Sequence, residues 1–191
     1  MANNTEVEVK VQIDAQIAAK LKARLKEIAI FGKIAKQKDE YYTPAHRSFV
    51  EPEYPFEWLS IRQRGEITIL NYKHFHPENA QVHTHCEEYE TEVANPEQLR
   101  KIFISLDVKK LVTIEKERET YLYKDEFEVA IDKVKELGFY VEIEAKKDFG
   151  SVSAARKKIG EFAKSIELDI SSPDLRGYPY LLMEKKGLLE N

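Results

Sequence analysis

The stretch Glu6-Val-Glu-Val-Lys10 alternates charged and apolar side chains without a break. Along a strand, alternate residues point to opposite faces, so Val7, Val9 and Val11 line one side while Glu6, Glu8 and Lys10 line the other. In an ordinary half-buried strand the polar face is mixed and solvated. Here it holds full charges of both signs.

The same bias recurs along the chain. Arg62 and Arg64 oppose Leu59 and Ile61, and Asn71 and Lys73 share a face. Glu88, Glu90 and Glu92 align on another strand. Glu128 and Asp132 oppose Val129 and Ile131, and Glu142 and Glu144 oppose Val141 and Ile143. In Ile114-Glu-Lys-Glu-Arg118, Lys116 and Arg118 share one face, although Glu115 and Glu117 alternate with them. The strands expected from this pattern are 5–13, 36–42, 58–64, 66–74, 86–93, 113–123, 127–132 and 140–146.

Three helices are expected between the strands. Asp14 caps one over about 15–30, with Ile17, Ala18, Leu21, Leu25 and Ile28 on its apolar stripe and Gly32 as its stop. Asn95-Pro96 opens a second ahead of Leu99, Ile102, Phe103 and Leu106. Ser151 or Ser153 starts a third carrying Ala155, Ile159, Phe162, Ala163 and Ile166. After Pro173, residues 178–183 read as a short helix or clasp. The fold class expected is α+β, an eight-stranded antiparallel β-barrel with helices packed on its outside. All of it belongs to one domain over 1–191, with the barrel and covering helices in 5–170 and a clasp in 171–191.

Length and composition set the limits. A chain of 191 residues, 34% charged and 42% apolar, suits one domain with a real core. Thirty basic residues against 34 acidic ones leave a net charge of −4, which argues against a nucleic-acid binder. The single cysteine, Cys86, forms no internal disulfide, and neither a signal peptide nor a membrane-spanning stretch is legible. A soluble, reducing, cytoplasmic setting is the expectation.

Two readings of the charged faces compete. An open sheet would pair its charges in water, at about 0.2–1 kcal/mol per cross-strand pair. A barrel would gather them in a wet tunnel, at a cost in repulsion and lost hydration that a bound polyanion and divalent cations offset. Arginine suits bidentate contact with phosphate oxygens, and carboxylates suit Mg²⁺ or Mn²⁺. Repetition on seven strands favours the tunnel, and with it a metal-bound triphosphate as ligand.

The ordered set Glu6-x-Glu8-x-Lys10, Asp39-x-Tyr41-Tyr42-x-Pro44, Arg62-x-Arg64, Lys73, Glu88-x-Glu90, Lys116-x-Arg118 and Tyr140-Val-Glu142-Ile-Glu144 resembles the CYTH, or triphosphate tunnel metalloenzyme, superfamily. The resemblance implies an eight-stranded barrel that binds triphosphates with Mg²⁺ or Mn²⁺. It implies that Lys10, Arg62, Arg64, Lys73, Lys116 and Arg118 hold phosphate oxygens. Glu6, Glu8, Glu88, Glu90, Glu142 and Glu144 would supply the metal sites, and Glu6, Glu8, Lys10 and Arg64 would be catalytic. One departure stands out: where relatives often read Arg-x-Glu-x-Glu, this chain reads Cys86-x-Glu88-x-Glu90. The implied activity is that of a class IV adenylyl cyclase on ATP. The alternatives are a triphosphatase acting on inorganic or organic triphosphates such as thiamine triphosphate, and a non-catalytic nucleotide or polyphosphate sensor. Homodimers are common in such relatives, and a homodimer stays open here.

Other features have plainer readings. Trp58 shares parity with Arg62, and a packed aromatic is favoured over a ring that stacks on a base. His74-x-His76 and His83-x-His85 flank a polar loop, where solvated histidines are favoured over a transition-metal site. Cys86 reads as a passive small side chain rather than a nucleophile, and the lysines and arginine of 20–26 read as surface charge.

Overall fold

The computed structural model describes residues 5–172 and 176–189, so Pro173 lies outside the described residues. The described residues form nine strands and four helices, one strand more than expected. The extra one arises because Val7 divides the first strand into β1 (Thr5–Glu6) and β2 (Glu8–Ile13). Val7 itself is 1% exposed, and its carbonyl accepts a hydrogen bond from Ala145 N at 3.0 Å. The remaining elements are α1 (Ala15–Ile28), β3 (Ile30–Thr43), β4 (Glu57–Arg64), β5 (Ile67–His76), β6 (His85–Glu92), α2 (Pro96–Ser105), β7 (Lys109–Tyr123), β8 (Phe127–Val134), β9 (Gly138–Ala145), α3 (Val152–Ser165) and α4 (Gly177–Lys185).

The caps read from sequence are in place. Asp14, Asn95 and Ser151 accept hydrogen bonds from Ile17 N, Gln98 N and Ala154 N at 2.7, 3.1 and 3.1 Å. Gly32 is not the helix stop. The chain leaves α1 at Ala29 and passes straight into β3, where Gly32 is a strand residue. A Cβ at position 32 would lie 2.7 Å from Thr120 Oγ1, so glycine is there for a close approach.

The chain packs as two compact units, one of residues 1–35 and 116–175, the other of 36–115 and 176–191. In the first, β7, β8, β9 and β2 pair antiparallel in that order. Val9, Val11, Val129, Ile131, Val141 and Ile143 share a face and pack with Leu21 and Leu25 of α1 and Ile159 and Phe162 of α3. Fully burying each such side chain is worth about 1.5–3 kcal/mol, so this face sets which way the charged residues of these strands point.

In the second unit β6, β5, β4 and β3 pair antiparallel in that order. A smaller cluster of Tyr42, Ile61 and Phe103, backed by Leu59, Leu70 and Leu99, seats α2 on this sheet. The Tyr42 and Phe103 rings meet edge to face at 5.0 Å. Residues 178–183 form most of α4, with Tyr178, Pro179, Leu182 and Met183 buried.

Candidate functional site

In the first unit, the strand register brings together the charged residues of four strands. Lys10 lies opposite Glu142, Glu8 opposite Glu144, and Arg118 opposite Asp132. Lys10 Nζ is 3.1 Å from Glu142 Oε2 and 3.7 Å from Glu8 Oε1. Arg118 donates to both Asp132 oxygens at 2.7 Å and reaches Glu142 Oε2 at 3.1 Å. Lys116 Nζ donates to Asp132 Oδ2 at 3.0 Å. The ion pairs run without a gap from Lys116 to Glu8. The ambiguity over Glu115 and Glu117 is resolved, because it is the Lys116 side chain, 7% exposed, that turns inward to Asp132.

Burial alone would raise the pKa of Asp132, which is 1% exposed, but Lys116 and Arg118 overcome it and hold the carboxyl below the ordinary range. Glu144 goes the other way. Burial raises its pKa, Lys146 Nζ at 2.9 Å opposes the rise, and Glu8 and Glu142 add to it. Three carboxylates thus share one end of this face, an arrangement that a bound dication would relieve. Glu6 stands half-buried at the end of β1 in the same unit.

In the second unit, Asp39, Arg62, Arg64, Asn71, Lys73, Glu88 and Glu90 share a face. Arg64 grips Asp39 with two bonds, Nη1 to Oδ1 at 2.5 Å and Nη2 to Oδ2 at 3.2 Å. A single Arg62 nitrogen, Nη1, donates to Glu88 Oε1 at 3.0 Å and Glu90 Oε1 at 3.1 Å. The Asn71 side-chain amide donates to the same two oxygens at 2.6 and 2.9 Å. Lys73 Nζ lies 3.5 Å from Glu88 Oε1. Burial disfavours the charge on Arg62, but Tyr41, Asp39, Glu88 and Glu90 outweigh it and raise its pKa. Its Nε is buried and has no hydrogen-bond partner among the described residues.

Three members of these faces were not singled out from sequence as site residues: Asp132, Asp39 and Asn71. Each is 2% exposed or less and makes its contacts with residues of neighbouring strands. The signal for Asp132 was its parity with Glu128, but its partners follow only from register. Trp58 lies opposite Lys73 on the same face, yet it is 5% exposed. Its ring meets Tyr41 edge-on at 5.8 Å, and a Cβ at Gly177, where φ is +83°, would stand 3.0 Å from its Nε1. It is a packed aromatic. Cys86 shares the parity of Glu88 and is 1% exposed, opposite Phe75.

A family model described as the CYTH domain matches residues 4–178. The presumed adenylate cyclase MJ0240 of Methanocaldococcus jannaschii is 32% identical over 184 residues, covering 95% of this chain and 99% of that protein. Among solved structures, the PH1819 protein of Pyrococcus horikoshii OT3 superposes with a TM-score of 0.77 at 24% identity, covering 94% of this chain and 99% of that one. The presumed adenylyl cyclase HpAC1 of Hippeastrum, described as revealing a dominant triphosphatase activity, gives a TM-score of 0.62 at 16% identity, with 97% of each chain covered.

Proposed function

We propose, from the plain fact that this chain belongs to the CYTH domain family, that it is a metal-dependent enzyme acting on a triphosphate as an adenylyl cyclase does. Membership makes the antiparallel β-barrel with outer helices its fold class, with nine strands in place of eight among the described residues. In the proposed reaction the ribose 3′-hydroxyl of ATP attacks the α-phosphorus, and pyrophosphate leaves.

The observation that carries the reading is the Arg62 guanidinium. One of its nitrogens is held by two carboxylates, while another, buried, has no partner among the described residues. A phosphate oxygen suits such a donor, and a guanidinium binds phosphate through more than one nitrogen. Lys10, Arg64, Lys73, Lys116 and Arg118 are assigned the remaining phosphate oxygens. Phosphoryl transfer asks for charge neutralisation and alignment more than for a covalent nucleophile, which is what fixed cations supply.

Glu6, Glu8, Glu88, Glu90, Glu142 and Glu144 are assigned the metal. They are hard oxygen donors, the class that Mg²⁺ and Mn²⁺ take, and the raised pKa of Glu144 beside Glu8 and Glu142 fits a dication there. A bound Mg²⁺ or Mn²⁺ would neutralise charge on the phosphate oxygens and the leaving group. Glu6, Glu8, Lys10 and Arg64 are the residues proposed to touch the reacting groups. Asp132, Asp39 and Asn71 act through the others: they fix Arg118, Arg64 and the Glu88–Glu90 pair.

A second reading, triphosphatase, is favoured by one comparison. The similarly folded HpAC1 is named for adenylyl cyclase and described by its triphosphatase activity. There water, rather than a ribose hydroxyl, attacks the terminal phosphorus. The deciding experiment is a product assay on ATP, thiamine triphosphate and inorganic triphosphate with Mg²⁺ and with Mn²⁺. Cyclic AMP and pyrophosphate from ATP support the cyclase. Orthophosphate without cyclic AMP supports the triphosphatase, and tight ATP binding without turnover overturns both.

A further inference from the structure

The β5–β6 hairpin of the second unit carries a second constellation, on the face opposite Lys73 and Glu88. His74 pairs in register with Glu87, and His76 with His85, so two rungs of one antiparallel ladder, on either side of the Phe75–Cys86 rung, present three imidazoles and a carboxylate on the same side. The ligating atoms of His74, His76 and Glu87 all lie within 4.8 Å of one another. The His74 and His76 rings are 4.4 Å apart between centroids, and His76 Nε2 is 3.6 Å from Glu87 Oε2. All three residues are half-buried.

We propose that His74, His76 and Glu87 bind one divalent transition-metal ion of the zinc class. The donor chemistry separates this site from the carboxylate sets above. Imidazole suits Zn²⁺, Ni²⁺ and Cu²⁺, whereas Mg²⁺ and Mn²⁺ prefer oxygen. Two histidines and one glutamate are a known zinc donor set, with water in the fourth position. At about 2.0–2.1 Å from the ion, tetrahedral ligands stand roughly 3.4 Å apart. The present spacing therefore closes by side-chain rotation alone, with the backbone ladder already fixing the register.

One neighbour meets a ring nitrogen as an outer partner of a metal-bound imidazole does, and another packs on a ring. Glu78 Oε1 sits 2.9 Å from His74 Nε2. His85, whose Nδ1 is 2.9 Å from Thr84 Oγ1, stacks on His76 with centroids 5.1 Å apart. An ion here clips β5 to β6 across the loop of residues 77–84, on the strands whose other face carries Lys73, Glu88 and Glu90. Its consequence is stability of that pairing, and it is independent of which triphosphate reaction the protein performs.

The test is calorimetric titration of the full chain with Zn²⁺ in excess Mg²⁺, which occupies oxygen-only sites. One Zn²⁺ per chain is expected, with a rise in Tm. His76→Gln and Glu87→Gln should each abolish the stoichiometric binding and the Tm rise. Glu78→Gln should weaken binding about tenfold or more. Glu88→Gln, on the opposite face, should leave it intact. With Co²⁺ as probe, the wild type should show visible d–d bands that His76→Gln lacks. Failure of the wild type to bind Zn²⁺, or stoichiometric binding that survives in His76→Gln or in Glu87→Gln, overturns the proposal. Circular dichroism of each variant in metal-free buffer separates loss of a ligand from loss of the fold.

Discussion

Arg118 holds Asp132 through two parallel bonds, Nε to Oδ1 and Nη2 to Oδ2, each 2.7 Å long, and Lys116 adds a third contact to the same carboxylate. Removing the carboxylate takes from Lys116 and Arg118 the buried anion they share. Asp132→Ala is therefore expected to cost about 3–5 kcal/mol of stability, read from urea unfolding. The double variant Asp132→Leu with Arg118→Leu should recover much of that loss; equal instability in both would mean that the pair is not what the single variant broke.

The pH dependence has two opposed parts. Asp132 has its pKa below the ordinary 3.8, so its contribution is complete above that value and fades as pH falls further. Glu144 has its pKa above the ordinary 4.5, so the folded state binds more protons there, and stability falls as pH rises upward from about that point. Glu144→Gln should flatten the descending limb and Asp132→Asn the acid limb. Denaturation midpoints between pH 2 and pH 8 would show a single unchanged profile in both variants if the assignments were wrong.

Arg64 is gripped by Asp39 in a two-pronged contact that lysine does not reproduce. Arg64→Lys should keep the fold and the net charge yet lower kcat/KM for the triphosphate by about a hundredfold. Steady-state kinetics beside a melting curve would check it; full activity would remove Arg64 from the reacting groups.

Gly32 faces Thr120 too closely for any side chain, with only 2.7 Å from a built Cβ to Oγ1. Gly32→Ala is expected to cost about 1–3 kcal/mol by overpacking. Adding Thr120→Ala should return part of that cost, since the backbone oxygen, 3.2 Å from the same Cβ, stays in place. A fully additive double-mutant cycle would show that the contact is not the cause.

All eight expected strands are present, because the apolar halves of Val9–Val11, Val129–Ile131 and Val141–Ile143 leave each strand one way to face the core. The caps were equally legible, since they act within three residues. Register was not. Nothing local in Asp132 shows that it lies opposite Arg118, or in Asn71 that it lies opposite Glu90; both facts belong to the register between neighbouring strands. Gly32 was read as a helix stop because glycine ends helices more often than it relieves a cross-strand contact. Lys22, read as surface charge, instead reaches the buried Glu119 at 2.6 Å.

The Arg62 nitrogen and the Asn71 amide together hold Glu88 and Glu90, so a dication on those carboxylates, as proposed, would have to displace the arginine. In the proposed site, phosphate that draws Arg62 away would leave the glutamates open to metal, and metal that claims the glutamates would free Arg62 for phosphate. If both bind as proposed, the two ligands would be thermodynamically linked, each tightening the other by the same factor. Titrating a non-hydrolysable triphosphate with and without Mn²⁺ should show this factor collapse towards one in Glu88→Gln/Glu90→Gln.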